Sequence, residues 1–338
     1  MACGTNGATG LTAWDNAQAA LVVGELKAVD WPISWNVIHT KPFTQSINPL
    51  TASHYQKRIS VGRNEGSFVS DHYVQTGILA YNVMGACTTA GVGDPYTHTI
   101  TKSTATTPTR LAFHMEKEGG SAQRRKDVMG FVPRSLDISV SEKDTVARQT
   151  FIGAFAFTGA GANLAAPAEL SQSALRPFTW FDYKSASGAS AFTYNTGAIN
   201  VDIVSVNLHI AWSEAFMGIY DANGYYTNGL VVPPFVPEVK LGLRLTDYTD
   251  TQLDTISDLV HTSYAGDLDY ICDFYESANR YLKFTFDKMY VDPAYEEVFQ
   301  EEGSWYNGVE ITLKLKDETS SLTVEEKNSL TKVYYEHD

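Results

Sequence analysis

Cysteine is almost missing from this chain. Cys3, Cys87 and Cys272 are scattered over 338 positions, too few and too far apart for a disulfide framework or a CxxC metal site. That usage fits a chain made and assembled in a reducing cytoplasm. Long apolar runs are missing too. No stretch approaches the roughly 20 residues that a membrane helix needs. Met1-Ala-Cys-Gly-Thr-Asn-Gly7 has neither the basic start nor the apolar centre of a signal peptide. Positive charge is short as well: Lys and Arg number 25 against 39 Asp and Glu, a net of −14. This argues against a protein that grips nucleic acid through its phosphates. Catalytic signatures are equally scarce. No GxxxxGK[ST], HExxH, GxSxG or EF-hand pattern occurs. Gly159-Ala-Gly161 begins like a dinucleotide fingerprint, but Leu164 stands where the third glycine belongs, so the segment reads as a linker. Gly4, Gly7 and Gly10 read as a disordered terminus.

What is present is enough to build a core. The chain is 43% hydrophobic, 12% aromatic and 19% charged, and its length allows one large domain or two modest ones. The acidity is uneven: from Glu238 onward there are 22 acidic and 9 basic residues, whereas the preceding part is close to neutral. A solvated surface is the default reading of such charge.

Period-two alternation dominates, with one core face and one wet face per strand, the antiparallel signature. Leu136, Ile138 and Val140 oppose Asp137, Ser139 and Ser141. Leu111, Phe113 and Met115 oppose Ala112, His114 and Glu116. Val204, Val206, Leu208, Ile210 and Trp212 oppose Ser205, Asn207, His209 and Ala211. Val239, Leu241 and Leu243 oppose Lys240, Gly242 and Arg244, and Val309, Ile311 and Leu313 oppose Glu310, Thr312 and Lys314. Two segments have helical spacing: one through Val74, Ile78 and Tyr81, with an exit at Gly91, and one through Leu253, Ile256, Leu259 and Val260. The second is introduced by the capping box Thr249-Asp-Thr-Gln252.

Strand, loop, strand, helix and three further strands occur in that order twice. The expected fold class is therefore mainly β: a β-sandwich or open barrel with one flanking helix per module, duplicated. The expected division is an N-terminal segment 1–29, a β module 30–158, a linker 159–175, a second module 176–318 and a C-terminal extension 319–338. That extension carries Leu322, Val324, Leu330 and Val333, too apolar for a free tail, so it should dock on its own fold or on a neighbour.

Candidate chemistry is thin. Asp267 and Asp269 lie two apart at a strand start, where paired carboxylates do acid–base work or bind Ca²⁺, and Glu296, Glu297, Glu301 and Glu302 cluster nearby. A solvated turn and strand face explains both more simply. The one basic run, Arg124-Arg125-Lys126, falls in a Gly-flanked loop. It suits an exposed hairpin tip, a contact with an acidic patch on another copy, or a DNA contact. No cofactor is implied.

In sequential order, several segments resemble the major tail tube proteins of long-tailed bacteriophages and related archaeal tailed viruses. They are Lys57-Arg-Ile-Ser-Val-Gly-Arg-Asn-Glu-Gly66, the helix-like Thr76-Gly-Ile-Leu-Ala-Tyr-Asn-Val-Met-Gly85, Asp94-Pro-Tyr-Thr-His-Thr-Ile-Thr101, Arg110-Leu-Ala-Phe-His-Met-Glu-Lys117, Gly130-Phe-Val-Pro-Arg-Ser-Leu-Asp-Ile-Ser139, and Arg176-Pro-Phe-Thr-Trp-Phe-Asp182 followed by Val204–Ile210. The family's proline before the fourth segment's strand is absent, and the acidic last third does not match motif by motif. The resemblance implies a structural virion protein, not an enzyme. It would be assembled in the host cytoplasm and placed in the virion tail, where rings stack into a hollow tube that conducts viral DNA. The inner wall would be a β-barrel continuous across subunits. A two-module chain would give a trimer with pseudo-six-fold symmetry in preference to a hexamer. The implied partners are other copies of the chain, then tape-measure, tail-terminator and tail-tip proteins, with DNA passing unbound and no membrane insertion.

On that reading the wet strand faces supply lumen-facing candidates: Asp137, Ser139, Ser141, Ser205, Glu310 and Thr312. Inter-subunit candidates are Arg124, Arg125 and Lys126, with Pro42 and Pro49 in one long loop and Tyr225, Tyr226 and Pro234 in another. Competing readings are a carbohydrate- or receptor-binding β-sandwich with aromatics at one rim, a hydrolase with a pocket around Asp267 and Asp269, and another virion structural protein.

Overall fold

The computed structural model describes residues 7–15, 20–21, 27–28, 30–40, 43–46, 58–61, 65–104, 111–119, 122–155, 157–159, 175–184, 191–199, 201–213, 234–245, 251–293, 296–299, 307–317, 319–331 and 335–336. In chain order the first half holds β1 (Gly7–Asp15), β2 (Ala20–Leu21), β3 (Lys27–Ala28), β4 (Pro32–Thr40), β5 (Phe43–Ser46), β6 (Arg58–Val61), β7 (Glu65–Tyr73), α1 (Ile78–Met84), β8 (Gly85–Ala90), β9 (Tyr96–Lys102), β10 (Leu111–Gly119), β11 (Ala122–Ser141), β12 (Arg148–Phe155) and β13 (Phe157–Gly159). The second half holds α2 (Trp180–Tyr183), β14 (Ala191–Tyr194), β15 (Gly197–Ala198), β16 (Asp202–Ala211), β17 (Glu238–Leu245), α3 (Thr251–Thr262), β18 (Leu268–Ser277), β19 (Arg280–Val291), β20 (Glu296–Phe299), β21 (Asn307–Leu315), β22 (Ser321–Asn328) and β23 (Tyr335–Glu336). The mainly β class, antiparallel throughout, is as the alternation predicts.

Two sheets enclose the core. The first runs β4–β7–β12–β11–β16–β17–β21–β20. The second runs β8–β9–β22–β19–β18–β14–β15. Strand β19 serves both: Tyr281–Asp287 pair with β22, then Met289–Val291 pair with β21. The chain turns between sheets at Lys288, held at φ 56°. Between the sheets lie Phe68, Phe151, Leu208, Leu241, Ile311, Tyr270, Phe274, Phe284 and Phe286, all fully or almost fully buried. At about 1.5–3 kcal/mol per fully buried large apolar side chain, this layer is the main stabilising term.

The chain's two halves contribute matching units to the first sheet. β4–β7–β12–β11 comes from the first half and β16–β17–β21–β20 from the second, and each second strand leads to a helix, α1 or α3. Each first strand also carries a bulge at its start, between Pro32 and Ser34 against β7 and between Ile203 and Ser205 against β17. That bulge corrects the alternation expected for β16. It takes Val204 out of register, so Ile203 is the buried residue and Val204 is only half-buried.

The start of the chain also departs from expectation, whereas the extension docks on its own fold. Gly7 and Gly10 lie in β1, paired along β10 from Gly7↔Lys117 to Ala13↔Leu111. The extension supplies β22, which sits between β9 of the first half and β19 of the second. Helix α1 ends at Met84, seven residues before Gly91, because Gly85 takes the left-handed conformation (φ 93°) and its N–H caps the Tyr81 carbonyl. The freed residues 85–90 form β8. The capping box residues Thr249 and Asp250 lie outside the described residues, as does the linker apart from Gly159 and Leu175.

Buried polar groups hold α1 in place. Asp30 Oδ2 accepts the Gln75 and Thr76 N–H groups (3.1 and 3.2 Å) and the Gln149 amide (2.5 Å), while Oδ1 accepts the Thr76 hydroxyl (2.7 Å). Glu326 of β22 accepts the next N–H, from Gly77 (2.9 Å), and the Asn328 amide (2.6 Å). Burial raises Asp30 to about 6 and Glu326 to about 8. His72, buried against the Asp30 carbonyl and the Ser70 hydroxyl, is pushed by burial down to about 4.

Candidate assembly surface

The outer face of the first sheet gathers all six lumen-facing candidates. Strand register, rather than proximity in sequence, sets their positions. One row crosses seven strands as Ser34, Asp71, Thr150, Asp137, His209, Glu238 and Lys314. A second holds Arg148, Ser139, Asn207, Lys240 and Thr312, and a third Ser141, Ser205, Gly242 and Glu310. Asp137, Ser139 and Ser141 on β11 thus lie directly opposite His209, Asn207 and Ser205 on β16, and β17 carries the face on to Glu310 and Thr312 of β21. Gly242 leaves room for its neighbour, since a Cβ there would lie 2.3 Å from the Ser205 hydroxyl.

The face is wet, and several of its charges are locally matched. His209 Nδ1–H donates to Asp137 Oδ1 at 2.5 Å, and that bond raises the imidazole above its usual range, against the opposing effect of burial. Lys314 Nζ lies 2.5 Å from Asp292, which likewise raises its pKa. Arg244 reaches Glu142 (2.6 Å) and Asp202 (3.3 Å), and Arg148 lies 3.7 Å from Asp144. Asp71 accepts the hydroxyls of Ser34 (2.5 Å) and Thr150 (2.7 Å). The Ser141 hydroxyl accepts the Asp144 N–H at 2.9 Å and closes the turn after β11. Exposed pairs of this kind contribute little to stability. Their effect here is to leave a polar surface on which Arg148, Arg244 and Lys314 each hold a carboxylate partner, while Lys240 is exposed.

The other candidates fall elsewhere. Arg124, Arg125 and Lys126 are not in a loop: they lie within β11, opposite Lys117, Glu116 and Met115 of β10. Ala122–Met129 has no apolar alternation to announce a strand, and the pairing with β10 sets its structure instead. Pro42, Pro49, Tyr225 and Tyr226 lie outside the described residues. Pro234 is exposed, and its carbonyl accepts the Ser213 N–H. Asp269 accepts the Lys288 N–H at 3.0 Å, which pins the corner of β19, and the Asp267 N–H donates to Asn195 Oδ1 at 3.0 Å. A cleft of about 730 Å³ opens at one end of the sandwich beside Lys102, Phe235, Leu315 and Leu322; neither Asp267 nor Asp269 lines it. Among the described residues, no group of three or more His, Cys, Asp or Glu is placed to hold a metal ion, and no helix is long and apolar enough to cross a membrane.

The sequence reading missed the Asp30–Glu326 clamp. A signal for Glu326 existed: Leu322 and Val324 share its period, which places a carboxylate on the core face. No family model matches the chain, and no curated protein matches its sequence.

Proposed function

We propose that this chain is a structural virion protein of the tail tube class, forming rings that stack into a hollow tube for viral DNA. One observation carries the reading. At the β11–β16 junction, two equivalent four-strand units from the two halves join into one continuous sheet. Repeating that junction between copies is a head-to-tail contact, which closes into a ring when the rotation allows and removes the sheet edges that otherwise template aggregation. The outer face of this sheet would line the bore.

With two units per chain, three chains per ring would supply six units. Eight strands spaced about 4.8 Å apart and tilted about 40° cover roughly 50 Å of wall. Three chains then give a circumference of about 150 Å and a backbone-to-backbone width near 48 Å, and six chains would double both. Duplex DNA carries about one charge per 1.7 Å of its axis. A wall on which Arg148, Arg244 and Lys314 already hold carboxylate partners offers that polyanion few sites to bind. Tape-measure, terminator and tail-tip proteins are the partners this role requires, in a virion tail assembled in the host cytoplasm. Electron microscopy of the purified chain tests the proposal: rings or tubes with a central channel support it, and a monomer persisting at high concentration overturns it.

A carbohydrate- or receptor-binding module would gather exposed aromatics at one rim. The exposed aromatics among the described residues, Phe181 and Tyr264, lie on separate elements, α2 and the turn after α3, so that reading has less support.

A further inference from the structure

The two halves of the first sheet correspond strand for strand in order, pairing and bulge position, and this fixes a register for the contact between copies. The bulge at Ile33 corresponds to the bulge at Val204, so Ser34, Asn36 and Ile38 of β4 take the places of Ser205, Asn207 and His209 of β16. Through β7 and β17, Thr150 of β12 corresponds to Glu310 of β21. Asp137 and Ser139 of β11 then correspond to Glu296 and Val298 of β20.

Within the chain, Asp137 pairs with His209 and Ser139 with Asn207. From that template we propose that β20 of one copy pairs antiparallel with β4 of the next, with Glu296 opposite Ile38 and Val298 opposite Asn36. This rests on the tube reading above and specifies its lateral interface.

The edges themselves point to the same partner. Among the described residues β4 pairs only with β7, and β20 only with β21. Exposed edge strands are normally protected by charge, proline or shortness. β4 is nine residues long, carries no Asp, Glu, Lys or Arg, and has its only proline at the first position. It also exposes Ile33 (41%) and Ile38 (49%). Left in water, such an edge is an aggregation template, and a second copy covering it in a fixed register resolves the hazard.

The test is disulfide trapping in the full chain. Asn36→Cys combined with Val298→Cys should give a ladder of covalent multimers after mild oxidation, and neither single variant should. Ser139→Cys with Asn207→Cys places the same pair inside one chain and should give an intramolecular bond, which confirms that this strand geometry permits the link. If rings form and the internal pair closes, but Asn36–Val298 fails or the shifted pair Ser34–Val298 links better, the register is overturned and the tube reading survives. If no variant and no unmodified protein assembles at any concentration, both fall together.

Discussion

Asp30 and Glu326, near opposite ends of the chain, accept three successive backbone N–H groups at the entry to α1: Gln75 and Thr76 for Asp30, Gly77 for Glu326. Both carboxyls are buried, at 0% and 2% exposure. The segment leading into β4 and the strand supplied by the extension are thereby tied to one turn of the first half. A Cβ on Gly77 would meet Ile100 Cδ1 at 2.9 Å and Glu326 Oε2 at 3.1 Å, so a side chain there would have to displace both.

Glu326 should make stability fall at alkaline pH. Its folded pKa of about 8 lies above the ordinary 4.5. Its contribution is therefore complete below 4.5 and is lost as pH rises through about 8. Asp30, raised to about 6, acts in the same sense at lower pH. His72, lowered to about 4, acts in the opposite sense below 6.5. Between pH 6.5 and 9, Glu326→Gln should remove a slope of up to about 1.4 kcal/mol per pH unit. Urea midpoints of both proteins across that window measure it. Parallel curves would mean that Glu326 does not titrate there.

His209 offers a second titration, on the wall face. The Asp137 bond raises its pKa, so the pair's stabilisation is present below 6.5 and fades as pH rises through the folded value. Asp137→Asn should move the His209 titration, followed by NMR of its ring protons, to lower pH. Because the ring is 40% exposed, the effect on overall stability should be small. An unchanged midpoint would show that the 2.5 Å contact is not made in solution.

Alternation made the strands legible, since a sheet with one dry face prints its period directly into the sequence. Val239–Leu243 and Leu136–Val140 are buried on the expected side. What alternation cannot encode is register. Nothing in the sequence says that Asp137 faces His209 or that β22 separates β9 from β19, because strand order depends on contacts between distant segments. Bulges defeat it locally, as at Val204, and so do paired strands whose sequence lacks apolar alternation, as at Arg124–Lys126. Glu326 was hidden for the opposite reason: its period is right, but its charge argues for solvent until the N–H groups that satisfy it are seen.

Gly85 should resist substitution more than its half-buried position suggests. At φ 93° it lies in the region that costs an L-residue about 1–2 kcal/mol, and a Cβ there would also meet Ser103 Cβ at 3.0 Å. Gly85→Ala should therefore lower stability by about 1–2 kcal/mol, read from denaturant midpoints. Gly93, which has nothing within 4 Å of a Cβ position, is the matched control and should change by less than about 0.5 kcal/mol. Equal effects at the two sites would remove Gly85 as the point where α1 must stop.

The polar wall makes the strongest functional prediction. Ser139 and Asn207 face each other across the β11–β16 junction, and both are exposed. Lysine at either position adds a cation to every repeat of the proposed bore while touching nothing in the core, so folding stability should shift by no more than about 0.5 kcal/mol. Assembled tubes of the Ser139→Lys, Asn207→Lys variant should retain short duplex DNA at low salt, whereas unmodified tubes should not. The retained affinity should fall with salt, at a log–log slope of about −0.9 for each phosphate neutralised. Filter binding across a salt series measures both the gain and its slope. If the variant assembles normally but holds no more DNA than the unmodified protein, this face does not line the channel, and the sheet must be turned the other way or the bore built from the second sheet.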